Sequence, residues 1–295
     1  MHGAGNDFVI IDLRDGVDPV GPARWPDLVR ALGDRHRGVG FDQLAVLTEG
    51  SGQGADDEAD VAVTFWNADG STSAACGNAT RCIAALLADE GRGPVMRIAV
   101  EGRGVLTAYA DEGRGIAVDM GPPDLMWSRI PLARDVDLMA LPLLGEPVAV
   151  GMGNPHCIYF VDGFEGLDWH TLGAATERDP LFPERTNVQF VQVLAPDRVR
   201  AKIWERGVGP TLASGSSACA IAVAAHRLGL TERSIAVELD GGTLSVDWRP
   251  DTDGSTGHVF LTGPVAHVFD GVLGPRQIAQ LVDAGAAAAA PRAAE

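Results

Sequence analysis

Two residues with acid–base side chains occupy matching places in the sequence, each just before an apolar helical segment. Cys76 lies in "NADGSTSAACGNATRCIAALLADEG" (67 to 91), and Ser214 lies in "ERGVGPTLASGSSACAIAVAAHRLG" (205 to 229). A thiol at the start of a helix faces unpaired backbone N–H groups and the positive end of the helix dipole, and both lower its pKa. This placement favours a reactive thiolate at Cys76 over the small buried hydrophobe that a free cysteine usually is.

The remaining cysteines, Cys82, Cys157 and Cys219, are interpreted as core residues because they lie within apolar helix or strand segments. Four cysteines in 295 residues are too few for a disulfide scaffold. None belongs to a CxxC pair of the kind that binds zinc or supports thioredoxin chemistry. We therefore expect reduced thiols.

Two acid–base groups on opposite faces of one carbon could remove a proton from one side and return a proton on the other. That is the requirement for inverting the α-carbon of an amino acid without a cofactor. Two helix N-termini would hold the α-carboxylate and stabilise the carbanion-like transition state. The sequence has no HExxH spacing, "GMGNPHC" lacks the third glycine of a dinucleotide loop, and "LASGS" lacks the first glycine of a hydrolase elbow. We expect no metal and no cofactor.

The elements that would position these groups occur twice in the chain. Aligning Cys76 with Ser214 also aligns Gly91 with Gly229. The segment "IAVE" occurs at 98 to 101 and at 235 to 238, and the pattern GxGN occurs at 3 to 6 and at 151 to 154. Several matches in the same order at similar offsets indicate an internal duplication.

Strand-like runs surround one strong helix in each half. The helices are "NATRCIAALLADEG" and "SSACAIAVAAHRLG", each closed by glycine at the position after the C-cap. We expect an α+β fold of two homologous domains, each a curled, mainly antiparallel sheet around a central helix, with the active site in the cleft between them. The predicted domains are 1–120 with about 265–281, and 121–264, followed by a flexible tail at 282–295. The predicted strands are "DFVIID", "MRIAVEG", "GVLTAYA", "CIYFVD", "NVQFVQVL" and "RVRAKIWE".

The composition disfavours two kinds of partner, nucleic acid and the membrane. The formal net charge of −17 disfavours nucleic acid, which binds basic patches. No apolar run approaches 18 residues, so no membrane span is expected. The N-terminal "MHGAGNDFVIID" lacks the features of a signal peptide, so we expect a cytoplasmic protein.

The combined motifs resemble the diaminopimelate epimerase family in order and spacing over nearly the whole chain. They are "MHGAGNDF", "GVGFDQ", "NADGS", "CGN", "GNPHC", "TNVQF" and "ERGVG" with the following "TLASG". The resemblance implies a cofactor-independent isomerase that interconverts LL- and meso-2,6-diaminopimelate for lysine and peptidoglycan precursor synthesis, with two cysteines as opposed acid and base. Cys76 matches the first cysteine, and Ser214 stands at the second position. The expected partner is a small amino-acid substrate, and the expected assembly is a homodimer.

The resemblance also implies roles for other residues. His156 and Glu205 would support the acid–base groups and complete the catalytic set with Cys76 and Ser214. Arg206 would pair with the distal carboxylate of the substrate, which suits a guanidinium fork. Without the resemblance, His156 would be interpreted as a turn or core histidine and Glu205 as a surface charge. The implied substrate-binding residues are Asn6, Gln43, Asn67, Gly77, Asn78, Asn154, Asn187, Glu205, Arg206, Gly215 and Ser216.

Ser214 leaves three interpretations open, because a hydroxyl is a far weaker base than a thiolate. The chain could be an impaired diaminopimelate epimerase, a racemase or epimerase of another amino acid such as hydroxyproline, or a catalytically inactive diaminopimelate-binding homologue. Retention of all the residues implied for the distal end of the substrate favours diaminopimelate over a proline-like ligand.

Overall fold

The computed structural model describes residues 1–50, 59–73, 77–111, 115–249 and 256–289. The chain forms two compact units. The first unit contains Met1–Gly3, Asp7–Ala108 and the chain from Val265 onward, and the second contains Ala4–Asn6 and Tyr109–Pro264. We refer to them as the first and second units.

The first unit is a mixed sheet with helices. Its strands are β1 (His2–Gly3), β2 (Asn6–Asp12), β3 (Gln43–Glu49), β4 (Val61–Asn67), β5 (Thr72–Ser73), β6 (Val95–Val100) and β7 (Gly104–Asp111), and its helices are α1 (Trp25–Gly33), α2 (Gly77–Asp89) and α5 (Pro275–Ala289). The strand order is β2, β3, β4, β6, β7. β2 runs parallel to β3, β3 antiparallel to β4, and β4 parallel to β6.

Helices α1 and α5 pack closely in this unit. The apolar residues of α1 recur at helical spacing, at Trp25, Leu28, Val29 and Leu32, and all four are buried. A Cβ atom at Gly285 of α5 would lie 1.8 Å from the carbonyl oxygen of Asp27, so only glycine permits this approach. The contact fixes α5 against α1.

The second unit repeats the arrangement. Its strands are β8 (Gly115–Asp119), β9 (Val148–Gly151), β10 (Pro155–Phe160), β11 (Asn187–Ala195), β12 (Arg198–Glu205), β13 (Gly209–Thr211), β14 (Ser234–Leu239), β15 (Gly242–Arg249) and β16 (His258–Gly263), and its helices are α3 (Trp169–Glu177) and α4 (Gly215–Arg227). The strand order is β8, β16, β15, β14, β12, β11, β10, β9. β10 runs parallel to β11, β11 antiparallel to β12, and β12 parallel to β14.

The predicted α+β duplication is confirmed, because both units use the same series of parallel, antiparallel and parallel pairs. The predicted central helices correspond to α2 and α4, each preceding a strand that contains the Ile-Ala-Val of an "IAVE" segment. Both end in the same motif: the amide of Arg92 donates to the carbonyl of Leu87 at 3.1 Å, and that of Leu230 to Ala225 at 3.0 Å. The glycines before these amides, Gly91 and Gly229, have φ of 79° and 71°.

Two expectations differ from the structure. Each unit contains a further helix before its second long strand, α1 in the first and α3 in the second, which the prediction of one strong helix per half did not include. The predicted tail from residue 282 begins inside α5, where Val282 is buried, so the helix continues to Ala289. Residues 290–295 of the predicted tail lie outside the described residues.

None of the described helices combines the length and apolar character needed to span a bilayer.

Candidate active site

In the second unit, a buried chain of polar side chains connects the start of β10 to the first turn of α4. The Nε2 atom of His156 lies 2.7 Å from the Oδ1 atom of Asn154. The Nδ1 atom of His156 lies 3.0 Å from the Nε2 atom of Gln189 on β11, and that nitrogen donates to the hydroxyl of Ser217 at 3.0 Å. His156, Gln189 and Ser217 are fully buried. We call Asn154, His156, Gln189 and Ser217 the polar relay.

His156 is a neutral imidazole in this environment. Burial, with a contribution from the nearby positive charge of Arg206, lowers the pKa of His156 to about 3. An imidazole of this kind takes part in hydrogen bonds without gaining a proton near neutral pH. His156 is therefore suited to orient its neighbours and unsuited to act as a general acid.

A tightly held turn follows β12 and carries Arg206. The backbone amide of Arg206 donates to Asn187 Oδ1 at 3.0 Å, and the Nδ2 atom of Asn187 donates to the carbonyl of Pro155 at 3.0 Å. The carboxylate of Glu177, at the end of α3, accepts the amide of Gly207 at 2.9 Å and the indole N–H of Trp204 at 2.8 Å. Buried groups on β11 and α3 thus fix the backbone on both sides of Arg206.

The guanidinium of Arg206 is exposed and is held at one point. Its Nη1 atom donates to the backbone carbonyl of Glu184 at 3.1 Å. Among the described residues, no carboxylate lies within ion-pair distance of it, whereas Arg14, Arg30 and Arg35 each have an acidic partner. A rigid turn that presents a guanidinium without an anion is a suitable site for a carboxylate ligand.

Ser214 is the N-cap residue of α4 and is buried, but its hydroxyl does not cap the helix. Serine is common at this position because its oxygen accepts an N–H bond from the first turn. Since Ser214 makes no such bond, its hydroxyl does not accept a hydrogen bond from the backbone N–H groups of Gly215 and Ser216. This arrangement is compatible with a ligand at the start of α4.

Glu205 lies at the end of β12, where its carboxylate accepts a hydrogen bond from the hydroxyl of Thr211 at 2.7 Å. Thr211 ends β13, the short strand that leads to Ser214. Glu205 is therefore part of the same end of the second unit as Arg206 and the start of α4.

In the first unit, Gln43 and Asn67 are opposite each other on β3 and β4, and Gln43 Nε2 donates to Asn67 Oδ1 at 3.0 Å. Asn67 Nδ2 donates to the hydroxyl of Ser71 at 3.0 Å. Gly77 and Asn78 open α2 and are buried. Asn6 opens β2 and groups with the second unit. The structure thus brings Gln43 and Asn67 into direct contact.

Cys76, with Ala74 and Ala75, lies outside the described residues. The predicted core role of the other three cysteines is confirmed, since Cys82, Cys157 and Cys219 are fully buried. Burial raises the pKa of Cys82 to about 11 and raises that of Cys157 well above its ordinary value. Neither thiol is a candidate nucleophile or base.

Three residues of the site were not identified from the sequence: Glu177, Gln189 and Ser217. Gln189 belongs to the motif "TNVQF", and Ser217 belongs to the predicted helix "SSACAIAVAAHRLG". Glu177 is far from any motif and is brought to the turn by the packing of α3. Among the described residues, no group of three or more His, Cys, Asp or Glu side chains could hold a metal ion.

Comparison with known proteins agrees with the resemblance in the sequence. A family model described as diaminopimelate epimerase matches residues 1–126 and 148–268. A diaminopimelate epimerase of Acidiphilium cryptum (strain JF-5) is 47% identical over 283 residues, which cover 95% of this chain and 96% of the relative.

Solved structures extend the likeness of fold to proteins with little sequence identity. A phenazine biosynthesis protein of Bacillus anthracis has a TM-score of 0.60 at 12% identity and covers 83% of this chain and 87% of its own. A hydroxyproline epimerase of Agrobacterium vitis, solved with trans-4-hydroxy-L-proline, has a TM-score of 0.59 at 16% identity and covers 89% of this chain and 87% of its own. These two similarities concern the fold alone. The family model and the extent of identity show that the chain belongs to the diaminopimelate epimerase family.

Proposed function

We propose that this chain interconverts LL- and meso-2,6-diaminopimelate by proton transfer at the α-carbon, and that Ser214 slows the reaction. The substrate assignment is supported by family membership. The observation that carries it in the structure is the turn around Arg206. The Arg206 guanidinium has no acidic partner among the described residues, and its turn is fixed by bonds from the Arg206 amide to Asn187 and from the Gly207 amide to Glu177. This arrangement suits the distal carboxylate of a dicarboxylic amino acid.

One half of the proton transfer is assigned to Cys76. As a thiolate it removes the α-proton from the face that it meets, and the carbon receives a proton from the opposite face. Gly215 and Ser216, at the start of α4, are proposed to donate their amide groups to the α-carboxylate, whose negative charge develops further as the proton leaves. Gly77 and Asn78 are further proposed substrate-binding residues.

The other half of the proton transfer is assigned to Ser214, which is a weak acid–base group. A hydroxyl holds its proton far more strongly than a thiol, so it is a poor base and donates poorly to a carbanion. His156 cannot compensate, because it is buried and neutral and makes its hydrogen bonds to Asn154 and Gln189. Glu205 bonds to Thr211 and is proposed to support the same region.

Further polar residues of both units are proposed to bind the substrate. Asn67, Asn187 and Arg206 are the proposed residues for the distal end of the substrate. Asn6, Gln43 and Asn154 are the proposed residues for the rest of it. The reaction needs no cofactor, because each step is a proton transfer to or from a side chain. We further propose that the two units are homologous domains, that the chain forms a homodimer and that it is cytoplasmic; size measurements and cell fractionation can test the last two.

The decisive experiment exchanges the second acid–base group. The full chain and Ser214→Cys are compared for epimerisation of both stereoisomers, with Ser234→Cys as the control because that residue is exposed on β14. We expect Ser214→Cys to accelerate epimerisation by about 10²–10⁴, the usual contribution of one acid–base group, and Ser234→Cys to have no effect. An unchanged rate in Ser214→Cys would contradict the impaired-epimerase proposal.

Isotope exchange separates the two half-reactions. In deuterated water, one stereoisomer should exchange its α-hydrogen faster than it epimerises, because Cys76 can return a solvent-derived proton on its own face. Cys76→Ala should abolish this exchange. Binding of diaminopimelate without exchange, unaltered by Ser214→Cys, would instead support the inactive binding homologue.

A further inference from the structure

The polar relay contains a residue with no assigned role, Gln189. Its side chain is fully buried on β11, facing His156 on one side and Ser217 of α4 on the other. We infer that Gln189 is a positioning residue that sets the direction of every hydrogen bond in the relay, and thereby leaves the amide nitrogen of Asn154 as the end that donates to an anionic ligand.

The Gln189 amide has one favoured orientation. Its Nε2 atom is within 3.0 Å of both His156 Nδ1 and Ser217 Oγ, so its two hydrogens are both used. Its Oε1 atom is buried with no partner among the described residues. The reversed amide would bury two unpaired N–H groups in place of one unpaired oxygen, and unpaired N–H groups are the rarer and costlier arrangement. Nε2 therefore faces His156.

The orientation of Gln189 fixes the tautomer of His156. Since Gln189 donates to Nδ1, that atom is an acceptor and carries no proton. The proton of a neutral imidazole is then on Nε2, which donates to Asn154 Oδ1 at 2.7 Å. The direction of donation runs from Gln189 through His156 to Asn154.

Asn154 is half-buried and directly precedes β10. Its Oδ1 atom is occupied by His156, so its Nδ2 group is the polar end that remains for a ligand. A donor group selects for a carboxylate or another anion and against an ammonium group. That this anion is the α-carboxylate of an amino acid rests on the proposed function.

The polar relay also connects the orientation of Asn154 to α4, the helix that follows Ser214. Ser217 lies in the first turn of α4, where the amide of Ala218 donates to the carbonyl of Ser214 at 3.0 Å. Gln189 thus ties the orientation of Asn154 to the start of α4 through one buried side chain.

The tautomer can be measured directly. In the ¹⁵N-labelled full chain, long-range ¹H–¹⁵N correlation spectra at neutral pH distinguish a protonated from an unprotonated ring nitrogen, and a His156→Gln variant identifies the signals of His156. We expect a protonated Nε2 and an unprotonated Nδ1. A proton on Nδ1 overturns the inference, whatever the substrate of the protein.

Variants then test the link to ligand binding. Gln189→Met keeps the length of the side chain and removes the donor, and Gln192→Met is the control on the same strand, because Gln192 bonds to the backbone carbonyl of Asp162 and is not part of the polar relay. In Gln189→Met we expect His156 to populate both neutral tautomers. We also expect this variant to bind diaminopimelate at least about tenfold more weakly, as when a hydrogen bond to a charged group is lost. Gln192→Met should retain both properties.

Thermal unfolding of both variants separates positioning from simple stabilisation. If Gln189→Met unfolds at a lower temperature but binds diaminopimelate as tightly as the unmodified chain, Gln189 is only structural and the inference is wrong. If the unmodified chain does not bind diaminopimelate at all, the proposed function fails, while the tautomer measurement still decides the role of Gln189.

Discussion

Glu177 offers the sharpest test of how the Arg206 turn is held. Its carboxylate is buried, with a side-chain exposure of 3%. One oxygen accepts the amide of Gly207 and the other accepts the indole N–H of Trp204, at 2.9 and 2.8 Å. Glu177→Gln replaces one acceptor oxygen by an NH₂ group. Whichever way the amide turns, one N–H donor of the protein then faces another donor.

The magnitude follows from the bond that is lost. A hydrogen bond to a charged group contributes about 1.5–3 kcal/mol, and a buried donor left without a partner costs a comparable amount. We expect Glu177→Gln to lower the free energy of unfolding by about 2–3 kcal/mol. At roughly 2–4 °C for each kcal/mol in a domain of this size, the second unit should melt roughly 4–12 °C earlier.

The pH dependence of the difference gives a second measurement. Burial raises the pKa of Glu177, but hydrogen bonds from Trp204 and Gly207 and the charges of Arg178 and Arg185 outweigh it, so the pKa is lowered overall. A carboxylate with a lowered pKa stabilises the fold above its unfolded pKa, about 4.3, and this stabilisation is lost as the pH falls through the folded value. The difference in the free energy of unfolding between Glu177→Gln and the unmodified chain should therefore become smaller as the pH falls.

The assay is differential scanning calorimetry from neutral pH to pH about 3, with Glu165→Gln as the control because Glu165 is exposed in the same unit. Diaminopimelate binding is measured in parallel, and it should weaken in Glu177→Gln as the turn loosens. Equal melting of both variants and the unmodified chain at neutral pH would refute the proposed bracing of this turn.

Three other outcomes are expected. Arg206→Ala should abolish diaminopimelate binding and leave the melting temperature unchanged, whereas an earlier melt with intact binding would make Arg206 structural. His156 should remain neutral in an NMR titration down to about pH 4, because its pKa is lowered to about 3; since the unfolded chain binds this proton at higher pH, stability should fall as the pH decreases from about 6.5 toward 3. Gly285→Ala should destabilise the first unit by about 1–3 kcal/mol or more in calorimetry, because its Cβ would lie 1.8 Å from the Asp27 carbonyl oxygen; Ala286→Ser, at an exposed position of the same helix, is the control.

The duplication and the central helices could be predicted from the sequence because their signals are local. Glycine after the C-cap of α2 and α4 marks a left-handed residue wherever the helix packs, and the "IAVE" segments repeat letter for letter. Helix α1 has an equally local signal in the spacing of Trp25, Leu28, Val29 and Leu32, but it is short and has a proline in its first turn. Its existence was missed although its pattern was present.

The polar relay and the brace at Glu177 could not be predicted, because they depend on pairings between distant segments. Gln189 meets His156 only because β10 and β11 run parallel, in a register that places His156 beside Asn187. Glu177 meets Gly207 only because α3 packs against β11 and β12. A motif identifies a residue type at a position, whereas the partner of its side chain follows from the register of the sheet.

The position of strand β16 and helix α5 has a consequence for how the chain folds as it is synthesised. Strand β8 of the second unit completes its pairing with β16, about 140 residues later, and helix α1 of the first unit packs on α5, about 250 residues later. Domains ordinarily fold in turn as they leave the ribosome, the N-terminal one first. Here neither unit can finish before residues 258–289 have emerged. Both must therefore wait in partly folded form with apolar surface uncovered, which makes this protein a candidate for chaperone assistance during translation.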